Sequence, residues 1–220
     1  MKINNIEVKD YIYTDSATEC VDGLKFISFL LDTVLENANN WKWVIIALHN
    51  TVQNFMVITL RDSAGVNILR KKIQGPYYKS LVEGTLPRPK EILDDFMNLY
   101  KSTKDPDEMR KYMDSTHFIP TKRQDESMSK LNTMRNEFIH FVPKGLVAYI
   151  SGMPDIISDC LDYIDFLVFQ SFHLPFHRDE DESDTERLIK EIKSKSDHIF
   201  SVFVELSEER KSKKQKKGRI

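Results

Sequence analysis

The sequence predicts an all-α protein, a bundle of about five to six helices that forms a single domain over residues 1–209. Two observations carry this prediction. The 220 residues include only seven glycines and eight prolines, too few for the many tight turns of a β-sandwich or a β-barrel. In several segments the apolar residues also recur at the three- and four-residue spacing of an amphipathic helix.

The first two helices are predicted from apolar stretches near the amino terminus. Residues 18–36 place a broad apolar face on one side of a helix. Asn39 and Asn40 break this pattern and offer caps for a second helix over 41–60. That helix is apolar around most of its circumference, so we predict that it is central.

Residues 63–90 hold six of the chain's glycines and prolines, which predicts a long insertion loop. Basic and aromatic side chains are mixed within it, and Lys71, Lys72 and Tyr77 are candidate substrate-binding residues. Lysines bind phosphate, and a tyrosine ring can stack on a base. The alternative is an exposed basic loop whose tyrosines pack back on the body of the protein.

Further helices complete the predicted bundle. A third helix is predicted to begin at Pro89, because proline favours the first turn of a helix. Ser183 and Glu186 have the spacing of a capping box, which predicts the start of the last helix. The remaining helices are predicted over about 124–141, 154–172 and 184–209.

Two sets of reactive side chains receive structural interpretations. Cys20 and Cys160 lie in apolar helical surroundings, where a reduced core thiol is the commoner state and a disulfide the alternative. Four aspartates follow helical spacing in the fifth helix, which indicates a solvated face rather than a carboxylate cluster: Asp155, Asp159, Asp162 and Asp165. We expect no metal site, because no metal-ligand spacing is present.

The charge distribution is uneven. Residues 210–219 contain seven basic residues and no acidic one, whereas the rest of the chain has 25 basic and 34 acidic residues. We predict that residues 210–220 form a disordered basic tail. An acidic body is a poor general binder of nucleic acid, so contact with RNA must come from a local basic patch or from this tail.

The amino-terminal residues lack the apolar core of a signal peptide. The longest apolar stretch, residues 41–60, is interrupted by polar residues that include His49 and Gln53. No membrane span or export is predicted, and the expected location is cytoplasmic.

The most informative segment is Arg-Asn-Glu-Phe-Ile-His at 135–140. For a chain of this composition, chance would produce Arg-Asn-x3-His only about 0.015 times. Asn136 and His140 share a helix face that differs from the apolar face of the same helix. Pro143 and Gly145 end the helix just beyond, which places His140 in its last turn.

This segment resembles the Arg-Asn-x3-His motif of the HEPN (higher eukaryotes and prokaryotes nucleotide-binding) superfamily. The motif covers six residues, and the helical order extends the likeness over residues 16–172. The resemblance implies an up-down helical bundle and a metal-independent endoribonuclease of toxin or antiviral-defence type. It also implies RNA as substrate, a homodimer built on the motif helix, a possible antitoxin partner and no cofactor.

The motif residues have distinct roles in the implied chemistry, in which the RNA 2′-hydroxyl attacks the adjacent phosphorus to give a 2′,3′-cyclic phosphate. His140 is the candidate general acid or base. Arg135 is the candidate for binding the scissile phosphate, and Asn136 for orienting His140 or the phosphate. Arg135 and His140 lie about 140° apart around a helix. The arginine side chain could reach around, the last turn could distort, or two protomers could share the site, and the family resemblance favours the shared site.

A second group of polar side chains could line the same site. His49 and Gln53 lie one turn apart on the apolar second helix, and such groups need hydrogen-bond partners from a cleft wall or a facing helix. Two non-enzymatic hypotheses stand beside the ribonuclease. One is a non-catalytic helical interaction or nucleotide-binding module, and the other is passive RNA binding by the tail and loop.

Overall fold

The computed structural model describes residues 2–3, 6–7, 12, 14–110, 115–140, 147–172 and 179–217. Within these residues the chain forms one short hairpin and eight α-helices. The all-α prediction is confirmed, whereas the predicted number of about five to six helices is too low. In the hairpin, β1 (Lys2–Ile3) pairs antiparallel with β2 (Ile6–Glu7). The helices are α1 (Ser16–Leu31), α2 (Trp41–Leu60), α3 (Lys71–Glu83), α4 (Phe96–Lys104), α5 (Pro106–Arg110), α6 (Lys122–Ile139), α7 (Met153–Asp165, continued by a π-helical turn, Phe166–Gln170) and α8 (Asp179–Lys217).

Helix α2 lies at the centre, as predicted, and packs against α1, α4, α6 and α7. The stretch Ala38–Leu60 is long and apolar enough to cross a bilayer by length and composition, a property that buried core helices share. In this fold 61% of its most apolar window is buried inside the bundle. Cys20 and Cys160 are buried free thiols in the same core, as predicted.

Helices α1 and α2 approach each other closely at Gly23. A Cβ atom at this position would lie 2.3 Å from Oγ1 of Thr51. The Thr51 side chain is completely buried, and its hydroxyl donates a hydrogen bond to the carbonyl oxygen of Ala47. Glycine is therefore the residue that allows this contact between the two helices.

The prediction of a long insertion loop over 63–90 is wrong over residues 71–83, which form α3. Glycine and proline at 75 and 76 fall inside this helix rather than in a turn. Tyr77 and Ser80 are buried, with Tyr77 packed on Val66 and Leu69 of the same segment, and Gly84 ends the helix in the left-handed conformation. Packing thus overrides the local turn signal.

The ends of the α3 segment are joined by a short backbone pairing. The N–H of Arg70 donates to the carbonyl oxygen of Ile92 at 3.0 Å, and that of Asp94 donates to Ile68 at 2.9 Å. An ion pair of 2.8 Å between Arg70 and Asp95 adds to it. We call this the 68–70/92–94 pairing; it fixes the chain just before α4.

Helix α6 is anchored to α7 through a buried carboxylate. Asp159 is 1% exposed, forms a 2.8 Å ion pair with Arg123 and accepts a 2.6 Å hydrogen bond from Ser127. The prediction of a solvated aspartate face is therefore wrong at Asp159. Because a buried charge needs a partner, Arg123 and Ser127 explain how this aspartate is tolerated.

The contacts between α6 and α7 show their relative direction. Ser127 contacts Asp159 and Met128 contacts Cys160, while Arg123, one turn earlier, reaches back toward Asp155. The two helices therefore run roughly parallel rather than alternating in direction. The connection over 140–152 has the length that such a return requires.

Helix α8 is longer than predicted at both ends. It begins at Asp179, so Ser183 lies inside the helix and its hydroxyl donates to the carbonyl oxygen of Glu180 instead of capping. The predicted capping box is therefore wrong. The helix also continues to Lys217, so that part of the predicted disordered tail is helical.

Candidate functional site

The motif occupies the carboxyl-terminal end of α6. A capping box of Thr121 and Gln124 begins this helix, and His140 ends it with its backbone N–H bonded to the carbonyl oxygen of Asn136. Asn136 and His140 are exposed, and Arg135 is half-buried. The motif thus lies at the protein surface, as a site for a large substrate requires.

Arg135 and Asn136 line a cavity of about 400 Å³ between α2 and α6. His49 and Gln53 of α2 and Asn132 of α6 line the same space. The structure therefore brings His49 and Gln53 to two of the three motif residues. We call this space the α2–α6 cavity.

Arg135 is bound within its own helix. Its guanidinium donates a 3.0 Å hydrogen bond to Oδ1 of Asn136. Asn136 consequently orients Arg135, whereas the sequence suggested that it orients His140 or the phosphate. The other guanidinium donors remain available for an anion, because arginine carries five N–H groups.

His49 is the most buried polar residue of the cavity wall, at 3% exposure. Its Nε2 lies 3.1 Å from Oδ1 of Asn132, and its ring stacks on Phe96 with the ring centroids 4.1 Å apart. Burial, together with the nearby Arg135 cation, lowers the pKa of His49 to about 4, against the opposing effect of the Asn132 hydrogen bond. The ring is therefore neutral at physiological pH and donates from Nε2.

His140 lies apart from this group. It is exposed at the end of α6 and does not belong to the described lining of the α2–α6 cavity. Within one chain, the structure thus brings Arg135 and Asn136 together with His49 rather than with His140.

The candidates from the α3 segment lie elsewhere. Lys71 forms a 2.8 Å ion pair with Glu108, and Lys72 is exposed. Tyr77 is 6% exposed, packs with Val66 and Leu69, and donates its hydroxyl proton to Glu91. The prediction that Tyr77 stacks a base is wrong in this structure, because its ring is covered.

Lys71 nevertheless lies close to the site. It lines a second, smaller cavity of about 250 Å³, and Asp94 lines both this cavity and the α2–α6 cavity. The two hollows are therefore neighbours that share one carboxylate.

Three polar residues of the α2–α6 cavity were not predicted from the sequence. Asn132 lies four residues before Asn136, so the helical spacing that related Asn136 to His140 would have revealed it. Asp94 and Asp95 precede α4 and reach the cavity through the 68–70/92–94 pairing. No local pattern signals that long-range contact.

Two carboxylates and one guanidinium make the cavity electrostatically mixed. Asp94 and Asp95 repel phosphate, so the anion-binding part of the cavity is confined to the side of Arg135. Among the described residues, no group of three or more histidine, cysteine, aspartate or glutamate side chains is arranged to hold a metal ion.

Comparisons with protein-family models, with curated proteins and with solved structures find no match to this chain. What the site can do therefore follows from its own residues. They offer one cation at the surface, a neutral buried imidazole, three side-chain amides and two carboxylates. This set suits a ligand that is anionic at one end and rich in hydrogen-bonding groups at the other.

Substituting His49 with glutamine is expected to reduce the loss of stability in acid. As the pH falls from about 6.5 to 4, the unfolded chain binds a proton at His49 that the folded chain excludes, because the folded pKa is about 4. This linkage removes up to about 3 kcal/mol of stability from the wild type. Glutamine keeps a hydrogen bond to Asn132 and does not titrate.

Urea unfolding at neutral pH and near pH 4.5 measures this difference. His198, an exposed histidine of α8, supplies the control, since His198→Gln should keep the wild-type dependence on pH. Equal acid losses in wild type and His49→Gln would show that His49 is not held neutral by burial.

Proposed function

We propose that this chain is a metal-independent endoribonuclease of the HEPN type, with a role in toxicity or antiviral defence. The observation that carries the proposal is the α2–α6 cavity, in which Arg135 and Asn136 of the motif meet a polar wall from α2. The all-helical fold is observed, whereas membership of the HEPN superfamily is part of the proposal.

The proposed reaction uses the RNA's own nucleophile. The 2′-hydroxyl loses its proton and its oxygen attacks the adjacent phosphorus, while the 5′-oxygen leaves and takes up a proton. The products are a 2′,3′-cyclic phosphate and a 5′-hydroxyl. Arg135 stabilises the charge that grows on the phosphoryl oxygens, and His140 supplies or accepts one of the protons.

A second copy of the chain completes the proposed site. Arg135 lines the α2–α6 cavity and His140 lies outside it, at the exposed end of the helix. Ile139, beside His140, is 44% exposed, which gives an apolar contact for a partner helix. In the proposed dimer, His140 of one protomer reaches the phosphate that Arg135 of the other holds.

The experiment is to incubate the purified wild-type protein with single-stranded RNA in EDTA and to map the product ends. We expect 2′,3′-cyclic phosphates and 5′-hydroxyls. The same RNA with 2′-O-methyl groups is the control and should stay intact, because its nucleophile is blocked. Intact RNA, or products with 3′-hydroxyl and 5′-phosphate ends, would contradict the proposal.

A non-catalytic nucleotide-binding or interaction module is the second candidate. The observation that favours it is the pair of carboxylates, Asp94 and Asp95, in the cavity that holds Arg135, since carboxylates weaken the binding of a phosphate chain. Binding of nucleotides without any cleavage of RNA, in the same assay, would support this candidate.

A further inference from the structure

We propose that the α2–α6 cavity is a base-recognition pocket that accepts guanine, with the carboxylates of Asp94 and Asp95 as its specificity-determining groups. The inference deepens the proposed ribonuclease function and rests on it, because the choice of base would decide where that enzyme cuts RNA. The two carboxylates that carry the inference lie outside the motif.

The composition of the cavity suits a nucleobase. At about 400 Å³ it falls within the range of small-ligand sites. Leu93 and Met97 are partly buried and give it an apolar surface beside α4, against which one face of a base can lie, while the ring of Phe96 is covered by His49. The opposite wall is formed by the polar side chains of α2 and α6.

The acceptors for the base are held in place. Oδ1 of Asp94 accepts hydrogen bonds from the N–H of Asp95 at 2.9 Å and from Nδ2 of Asn98 at 2.8 Å. No described residue donates to its Oδ2. Oδ1 of Asp95 is bound by Arg70. Each carboxylate is thus oriented through one oxygen, and the other can accept from a ligand.

Acceptor groups of this kind select guanine among the four RNA bases. An ionised carboxylate only accepts hydrogen bonds, so its partner must donate. Guanine carries adjacent donors, N1–H and N2–H2, on its Watson–Crick edge. Uracil has a single N–H there, while adenine and cytosine each pair an amino group with a ring-nitrogen acceptor that a carboxylate repels.

Donors for the remaining guanine edge come from the amide wall. Because Oδ1 of Asn132 is bound to Nε2 of His49, the amide N–H groups of Asn132 point away from His49 and can donate to a ligand. Gln53 adds a second amide to the same cavity. These donors match the O6 acceptor of guanine, and Arg135 remains for the adjoining phosphate.

Selection of the base therefore gives Asp94 and Asp95 a role that the cleavage chemistry does not explain. In a phosphate site they are unfavourable, whereas in a base pocket they discriminate. A base without the matching N–H groups would displace water from a carboxylate without replacing its hydrogen bonds, and this mismatch lowers its affinity.

The test measures binding of GMP, AMP, CMP, UMP and IMP to the wild-type protein by calorimetry in EDTA. We expect GMP to bind at least about tenfold more tightly than AMP, CMP and UMP. IMP, which lacks only the 2-amino group, should fall between GMP and the others. Affinities for all five nucleotides within about threefold would overturn the inference.

Two variants test whether the preference for GMP depends on Asp94 and Asp95. Asp94→Asn should lose most of the GMP preference while its affinity for AMP stays near the wild-type value. Asp95→Asn is the second variant, and circular dichroism checks that both remain folded. Asp197, exposed on α8, gives the matched control Asp197→Asn, which should bind as the wild type does. A GMP preference that persists in both acid variants would overturn the assignment.

Sequencing of RNA cleavage sites separates this inference from the proposed function. Cleavage next to guanine, relaxed in Asp94→Asn, supports both. Cleavage without any base preference overturns the pocket and leaves the ribonuclease. Selective binding of GMP without cleavage of RNA overturns the ribonuclease and leaves the pocket.

Discussion

Replacing His140 with alanine is expected to lower the rate of RNA cleavage by about 10²–10⁴-fold, the usual contribution of a general acid or base. His140 ends α6 with its side chain in solvent, so its loss removes little packing and the fold should persist. Single-turnover cleavage of RNA in EDTA measures the effect. His198→Ala removes another exposed histidine, from α8, and should leave the rate unchanged.

Mixing two inactive variants tests whether the site is shared between protomers. Arg135→Ala and His140→Ala are each expected to be inactive as homodimers. In a symmetric composite site, a mixed dimer contains one intact pair, so an equimolar mixture should recover about a quarter of wild-type activity. No recovery from a mixture that forms mixed dimers would place both groups in a single chain.

Replacing Gly23 with alanine is expected to destabilise the fold by about 1–3 kcal/mol. In an exposed helix this change would stabilise, by about 1 kcal/mol. Here the added Cβ would meet Oγ1 of Thr51 at 2.3 Å, and Thr51 is fully buried and cannot move aside. Overpacking therefore outweighs helix propensity. Urea unfolding at neutral pH gives the change in free energy.

Two further variants make that prediction specific. A Cβ atom added at Gly152 would meet no atom within 4 Å beyond its own chain neighbours, so Gly152→Ala should cost only about 0.5–1 kcal/mol, the effect of alanine at the N-cap of α7. Adding Thr51→Ala to Gly23→Ala removes the clashing oxygen and should offset part of the loss. A stabilised Gly23→Ala variant would show that α1 and α2 separate at this point at little cost.

Much of the helical framework could be predicted, because its signals are local. The apolar run of α2 and the asparagines before it give bounds that match the structure at Trp41–Leu60. These local signals fail where tertiary packing determines where a helix begins. Of the Ser/Thr-x-x-Glu/Gln patterns in the sequence, the one at Thr121 caps a helix while the one at Ser183 falls inside one. The acidic residues before Ser183 extend α8 backwards, since negative charge stabilises the first turn of a helix.

The candidate site was predictable in part for the same reason. Helical spacing related Asn136 to His140 and His49 to Gln53, and the structure brings His49 and Gln53 to the α2–α6 cavity with Asn136. The acids at 94 and 95 could not be found this way. They reach the cavity because backbone groups some 24 residues apart pair across the α3 segment, and single-sequence periodicity does not report such pairing.

The far end of α8 has a consequence for dynamics. Residues 204–213 are all exposed, although the helix that contains them spans 39 residues, or about 58 Å. With no tertiary burial, the amide protons of these turns exchange with solvent through local fraying, whereas those of α2 are released only when the whole bundle opens. We therefore expect the exposed turns of α8 to unwind while the buried helices stay folded.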